Sequence, residues 1–367
     1  MTKFISLFHT LIKVIFFKKF NMVFYSESKV YQSLFYSIIK NIKKKDSVIY
    51  LASDFDDKIN ILGVQNYYIG KGYFRNFIFL VLRSKLIIMT TSDLGNNEIK
   101  KTENIDHYIY FFHSLMSTHK TYTEFAFDNY DVIFCNGEYQ EKELRSLEVI
   151  NKSKKKKIIN TGYVYFDFLR KLIDLNKKPD YILIASSWNY SKDNFFEKNC
   201  YDLINELLKK NFKVILRPHL EHFSRSKKII KKIRDNFSSN KNFSFDDNPS
   251  NINSMDLSEI IITDCSGIAL EFLFMYKRPV IYMDQYQKIH NQNFTEMKIP
   301  AFEDLVKDEF GYIINSADVK TIDSKMFEAK KIFENKKNNI NIFIDKNLYN
   351  FENASYALSK SLEKILI

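Results

Sequence analysis

The sequence predicts an α/β protein of two open, doubly wound halves, with further helices at the carboxyl end. Three observations lead there. Short unbroken apolar runs alternate with helical stretches, the mark of buried parallel strands in βαβ units. Punctuating residues are scarce, with 8 Gly and 5 Pro in 367 residues, so most of the chain must lie in regular elements. The alternation stops once, at the polar, Pro-bearing stretch Asn176–Asp180, and then starts again. That break separates a first domain, residues 1–175, from a second, residues 180–367, and the length suits two.

In chain order, VFYSES is followed by VYQSLFYSIIKNI, and SVIYLASD by QNYYIG and GYFRNFIFLVLRS. KLIIMTTSD comes next, then HYIYFFHSL with the helical stretch HKTYTEFAFDNY, then DVIFCNG leading into EYQEKELRSLEVI. Lys154–Lys157 precedes IINTGYVYFDFLRKL, whose Gly162 marks a tight turn near the hinge. Past the linker, YILIASSW is a strand and the stretch from Phe195 to Lys210 a helix. FKVILRPH, NFSFDD, EIIITDCSG and RPVIYMD read as strands, SKKIIKKIRDNF and IALEFLFMYK as helices, and Lys320–Ile367 as mainly helix. Two such halves place a cleft between them, and ligands of such sheets bind at the carboxyl ends of strands.

Composition narrows the function. Hydrophobic residues at 45% and charged residues at 27% exclude a disordered or collagen-like chain. Cys135, Cys200 and Cys265 are too far apart for a zinc or disulfide framework, which predicts a reducing, cytoplasmic compartment. The net charge of +11 suits an anionic partner or a solvated lysine-rich surface. Lys outnumbers Arg, which argues against nucleic acid, where Arg forks read bases and phosphates. The apolar segment Phe4–Phe20 is broken by His9 and Lys13 and ends in Lys18 and Lys19. It is at the short limit for a span, and no small-residue cleavage site follows it. Two readings stay open: a helix docked on the protein, or an amphipathic helix on the inner face of the membrane with its lysines at anionic headgroups.

Three segments carry candidate chemistry. In Glu259–Asp284 a buried strand ends at Thr263, and Asp264, Cys265, Ser266 and Gly267 turn into an apolar helix. Gly267 permits close backbone approach, and Ser266 with the first amides can cradle a phosphate. Glu271 is a lone carboxylate in that helix, roughly 7.5 Å beyond Ser266, about the span from a pyrophosphate to a ribose. The alternative is an N-cap plus a structural ion pair. In KVILRPHLEH a strand delivers Arg217 and His219 as a phosphate pair, or His219 as a packed loop histidine, with His222 solvated. In HYIYFFHSLMSTHKTY a strand ends at His113, placed as a general base or as a satisfied core histidine. His119 opens the next helix, as a phosphate contact or as a packed residue.

Together, His113, then Arg217-Pro218-His219, then Asp264, Ser266 and Glu271 resemble the motifs of the CDP-glycerol glycerophosphotransferases of teichoic-acid and capsule synthesis. Here His113-Ser114-Leu115 replaces His-Gly-Thr, and Leu220 replaces the second Pro of Arg-Pro-His-Pro. The resemblance implies a GT-B fold: two Rossmann-like domains, the first for the acceptor and the second for the nucleotide donor, facing a central cleft. It implies transfer of a glycerol-phosphate or related group from a CDP-linked donor to a hydroxyl of a glycan or lipid-linked acceptor. His113 and His219 would be catalytic; Arg217, Asp264, Ser266, Gly267, Glu271 and His119 would bind substrate. No metal and no cofactor is expected, and an anionic membrane surface is expected as a partner. The alternatives are a nucleotide-sugar glycosyltransferase or 2-epimerase of the same fold, or a non-catalytic basic protein of the membrane face.

Overall fold

The unbroken apolar runs are the strands of two parallel sheets. The computed structural model describes residues 2–16, 19–96, 99–189, 191–283, 286, 289–291 and 293–367. Phe17 and Lys18 of the amino-terminal segment, and Asp284 at the end of the RPVIYMD run, lie outside the described residues. The chain forms two compact units, one of Met1–Phe168 with Asn291–Ile299 and Asn347–Ile367, the other of Leu169–His290 with Pro300–Lys346.

The first unit holds β1 (Phe20–Ser26), β2 (Val48–Ala52), β3 (Gln65–Tyr68), β4 (Ser84–Met89), β5 (Ile105–Phe111), β6 (Val132–Cys135) and β7 (Lys157–Asn160). They pair in parallel in the order β3-β2-β1-β4-β5-β6-β7. Both faces are covered, which is why the runs are unbroken rather than alternating. Val23, Tyr25, Leu51 and Tyr110 pack on one face, and Phe24, Tyr50, Ile88 and Phe111 on the other.

The terminal helix Ala354–Leu366 corrects the sequence-level division, which put it with the second domain: Ala354, Leu358 and Leu362 pack on the second of those faces. Its first amides, from Ala354 and Ser355, donate to the Asp167 carboxylate at 3.0 and 2.7 Å, a charge-assisted cap. Gly162 turns at φ +93°, and a Cβ there would lie 2.0 Å from the Tyr349 carbonyl, so the turn takes only glycine.

The second unit holds β8 (Tyr181–Ala185), β9 (Lys213–Arg217), β10 (Phe243–Phe245), β11 (Ser258–Thr263), β12 (Val280–Met283) and β13 (Tyr312–Ile314). Their order is β10-β9-β8-β11-β12-β13, again parallel. β13 escaped the sequence reading, as did the short helix Ile252–Leu257. The expected helix Phe195–Lys210 breaks at Asn199, whose side chain bonds to Ser316 and Tyr286. The expected helix over HKTYTEFAFDNY is a single turn, Thr118–Thr121. Tyr122, Phe127 and Tyr130 there pack into the core beside the first sheet.

The amino-terminal helix Thr2–Phe16 docks on the first unit through Thr10 and Val14, and the Thr10 hydroxyl donates to the Tyr68 carbonyl at 2.9 Å. Its other face leaves Phe4, Ile5, Phe8 and Phe16 exposed. No helix among the described residues is long and apolar enough to cross a membrane.

Candidate functional site

Each sheet has a point where strand order reverses, the place where open α/β sheets bind ligands. In the first unit it lies between β1 and β4. Beyond their carboxyl ends is a cavity of about 570 Å³, within the size range of small-ligand sites. Glu27 enters it from the end of β1, Thr90–Asp93 from β4, and His113 from beyond β5. β5 ends at Phe111, so His113 sits two residues into the loop instead of at the strand end. Its half-buried ring lies 4.8 Å from the Tyr31 ring, and its carbonyl accepts from the Tyr163 hydroxyl at 3.1 Å. Burial, then the Glu27 charge, hold the Tyr31 phenol protonated far above the ordinary tyrosine range.

His119 is elsewhere. It is 1% exposed, with Nδ1 3.2 Å from Glu143 and Nε2 3.0 Å from the Ile299 carbonyl. Glu143 also accepts from the Thr118 amide and hydroxyl, both at 2.6 Å. These contacts place His119 as the packed residue that was the alternative to a phosphate contact.

In the second unit the reversal lies between β8 and β11. Asp264, buried at the end of β11, accepts from the Ser187 amide at 2.8 Å and hydroxyl at 2.7 Å, clamping the two strand ends together. Burial raises the Asp264 carboxyl and the Ser187 bonds oppose it. Both Asp264 oxygens are thus engaged by Ser187 within the fold.

The Ser187 carbonyl accepts from His222 Nε2 at 2.9 Å, so His222 Nδ1 accepts from the Ser226 hydroxyl, also at 2.9 Å. The His222 ring stacks on Phe196 at 4.1 Å and is 2% exposed, where solvation was expected. Burial holds its pKa below the ordinary histidine value.

The next residue, Trp188, lies with its ring 6.2 Å from that of His219 and 5.6 Å from that of His290, and the Arg225 guanidinium is 5.1 Å from its centroid. Sequence reading missed Trp188. Its signal was the chain's single Trp placed directly after an apolar strand. His219, half-buried, accepts the Glu221 amide on Nδ1 at 3.2 Å.

Arg217 departs from its expected pairing with His219. Its guanidinium donates to Asp246 at 2.6 Å and to the Ser250 and Pro249 carbonyls, bracing the loop after β10. Beyond Asp264, the helix Ile268–Tyr276 starts its ladder with Ala269 donating to Ser266, which leaves the amides of Ser266, Gly267 and Ile268 before it. Gly267 has φ −60°, a conformation any residue adopts. Ser266 and Gly267 are half-buried. Glu271 is half-buried too, where full burial was expected, and it accepts from Asn251 at 3.2 Å.

No family model matches the sequence, and no curated protein matches it. Solved structures do. The wall teichoic acid polymerase TagF is similar over 100% of this chain and 98% of its own, with TM-score 0.63 and 14% identity. UDP-GlcNAc 2-epimerase from Neisseria meningitidis, bound to UDP-GlcNAc, is similar over 94% and 100%, with TM-score 0.58 and 15% identity. The S. aureus MnaA–UDP co-structure is similar over 95% of each chain, with TM-score 0.60 and 10% identity. At such identities the likeness speaks for the architecture, and with the two parallel sheets it establishes a GT-B-like α/β fold.

Proposed function

We propose that this chain is a transferase that moves a glycerol-phosphate or related polyol- or sugar-phosphate group from a CDP-activated donor to a hydroxyl of a glycan or lipid-linked acceptor. One observation carries the reading: in both units the polar and aromatic side chains collect beyond the carboxyl ends of the strands flanking the reversal point. A nucleotide-linked donor accords with the neighbours, one a TagF structure soaked with CDPG and another an epimerase bound to UDP-GlcNAc.

The first domain takes the acceptor and the second the donor. The acceptor oxygen attacks the phosphorus of the transferred group and its proton passes to His113. The bond from that phosphorus to CMP breaks, and CMP leaves with the electron pair. His219 and the amides from Ser266 to Ile268 hold the phosphate charge in a prearranged field. Glu271 holds the ribose hydroxyls. Arg217, Asp264 and His119 act through the loops they fix. The exposed apolar face of Thr2–Phe16 seats the enzyme on an anionic membrane.

CMP release from CDP-glycerol, with UDP-GlcNAc as the competing donor, tests the reading. Turnover of CDP-glycerol is expected, with His113→Ala and His219→Ala each lowering it by about 100-fold or more. Epimerisation of UDP-GlcNAc with no CMP release would establish the second reading, a sugar-nucleotide 2-epimerase, which the Neisseria neighbour favours. Near-wild-type turnover in either folded variant would remove that histidine from the mechanism.

A further inference from the structure

The cavity of the first unit has a lining more specific than a general acceptor site. Glu27, half-buried, lines it where the first strand ends. Its Oε2 accepts from the Thr91 hydroxyl at 2.6 Å. Among the described residues no cation lies within salt-bridge reach of it. Lys71, on the same wall, is turned to Asp54 at 2.9 Å, and Arg75 donates through Nε to Asn76 at 3.1 Å.

Tyr31 lines the cavity beside the carboxylate. Burial raises Tyr25, Tyr31 and Tyr130, and the Glu27 charge adds to each. The wall also carries the buried Thr90 hydroxyl, which has no hydrogen-bond partner among the described residues. A half-buried carboxylate without a paired cation, beside an unsatisfied buried hydroxyl, is costly unless something donates to both.

We propose that this cavity binds an uncharged, hydroxyl-rich unit, the terminal polyol or saccharide of the acceptor, and that Glu27 is its specificity residue. Neighbouring hydroxyls of such a unit donate to the free side of the Glu27 carboxylate and exchange hydrogen bonds with Thr90. That arrangement presents the next hydroxyl to His113. The carboxylates Glu27 and Asp93 share the wall with the cations Lys71 and Arg75, so its formal charge is balanced and an uncharged group suits it. An apolar group would leave the carboxylate desolvated. This assignment rests on the transferase reading above for its role, though not for its chemistry.

Saturation-transfer NMR on the full chain tests it, with ribitol and maltose as probes and inorganic phosphate as competitor. Ribitol or maltose should receive saturation from the wild type. Glu27→Gln should cut that signal by about fivefold or more, the effect of losing hydrogen bonds to a charged group. Phosphate should not displace either probe, and CDP affinity in the same variant should stay within about twofold of wild type, because the donor belongs to the other domain. Unchanged probe signals in folded Glu27→Gln, displacement by phosphate, or no saturation of either probe in the wild type would each overturn the proposal. If Glu27→Gln fails to fold, Glu27→Asp decides: it keeps the charge but withdraws it by one methylene, and an undiminished signal overturns the assignment. CDP-glycerol turnover separates the two claims. Turnover with Glu27-independent probe binding removes this site and keeps the transferase; Glu27-dependent binding without CDP binding or turnover does the reverse.

Discussion

Glu271 shows how one residue's role can be separated from its support of the fold. It is half-buried at the first turn of its helix and bonded to Asn251, so both a ligand and a neighbour have a claim on it. If it holds the ribose, Glu271→Gln should weaken CDP binding by about 1.5–3 kcal/mol while folding survives, because Gln keeps an acceptor for Asn251. Wild type should show the same loss with deoxy-CDP, and the variant little further loss. Titrating both nucleotides on both proteins measures that coupling, and additive losses would assign Glu271 to a structural role.

His222 makes a prediction about acid. Its folded pKa is depressed by burial, so its contribution to stability is present above the unfolded value of about 6.5 and is lost as pH falls through the folded one. The melting temperature of wild type should therefore drop on acidification below about pH 6.5, and His222→Gln should flatten that part of the curve. An unchanged slope in the variant would assign the acid sensitivity to other groups. Nothing near His222 in sequence announced its burial. Its covering partners, Phe196 and Ser187, come from other elements, as does Asp246 for Arg217. Partners in distant loops are what residue-level reading lacks.

At the scale of elements the sequence was more legible. Strands buried on both faces are apolar without interruption, and β1, β2, β4 and β11 stood out for that reason. β13 did not, because its three residues carry too little pattern and only its pairing with β12 makes it a strand. The Glu27 and Thr90–Asp93 positions could have been found, since each directly follows an apolar run.

The amino-terminal helix is the element with a surface left over. One face is docked through Thr10 and Val14, while Phe4, Ile5, Phe8 and Phe16 remain exposed alongside Lys3 and Lys13. Phe4→Ser with Phe8→Ser should reduce sedimentation with liposomes containing anionic lipid and leave melting unchanged, because both side chains face outward. A lowered melting temperature with liposome binding intact would make the face a packing surface.

For the whole molecule, alternation of strand and helix on either side of one polar stretch led to two doubly wound units, and the two parallel sheets and the structural neighbours bear that out. The contact division is less simple, with two later segments returning to the first unit. Those returns depend on packing such as that of Leu358 and Leu362, which a terminal amphipathic helix does not reveal in one dimension. The account rests on the claim that the second domain binds a cytidine nucleotide. Calorimetric titration of the full chain with CDP, CMP and UDP tests this most directly. The account predicts saturable binding of CDP, tighter than UDP by about tenfold or more, with CMP bound as the product. Preference for UDP, or no heat with any of the three, would contradict it.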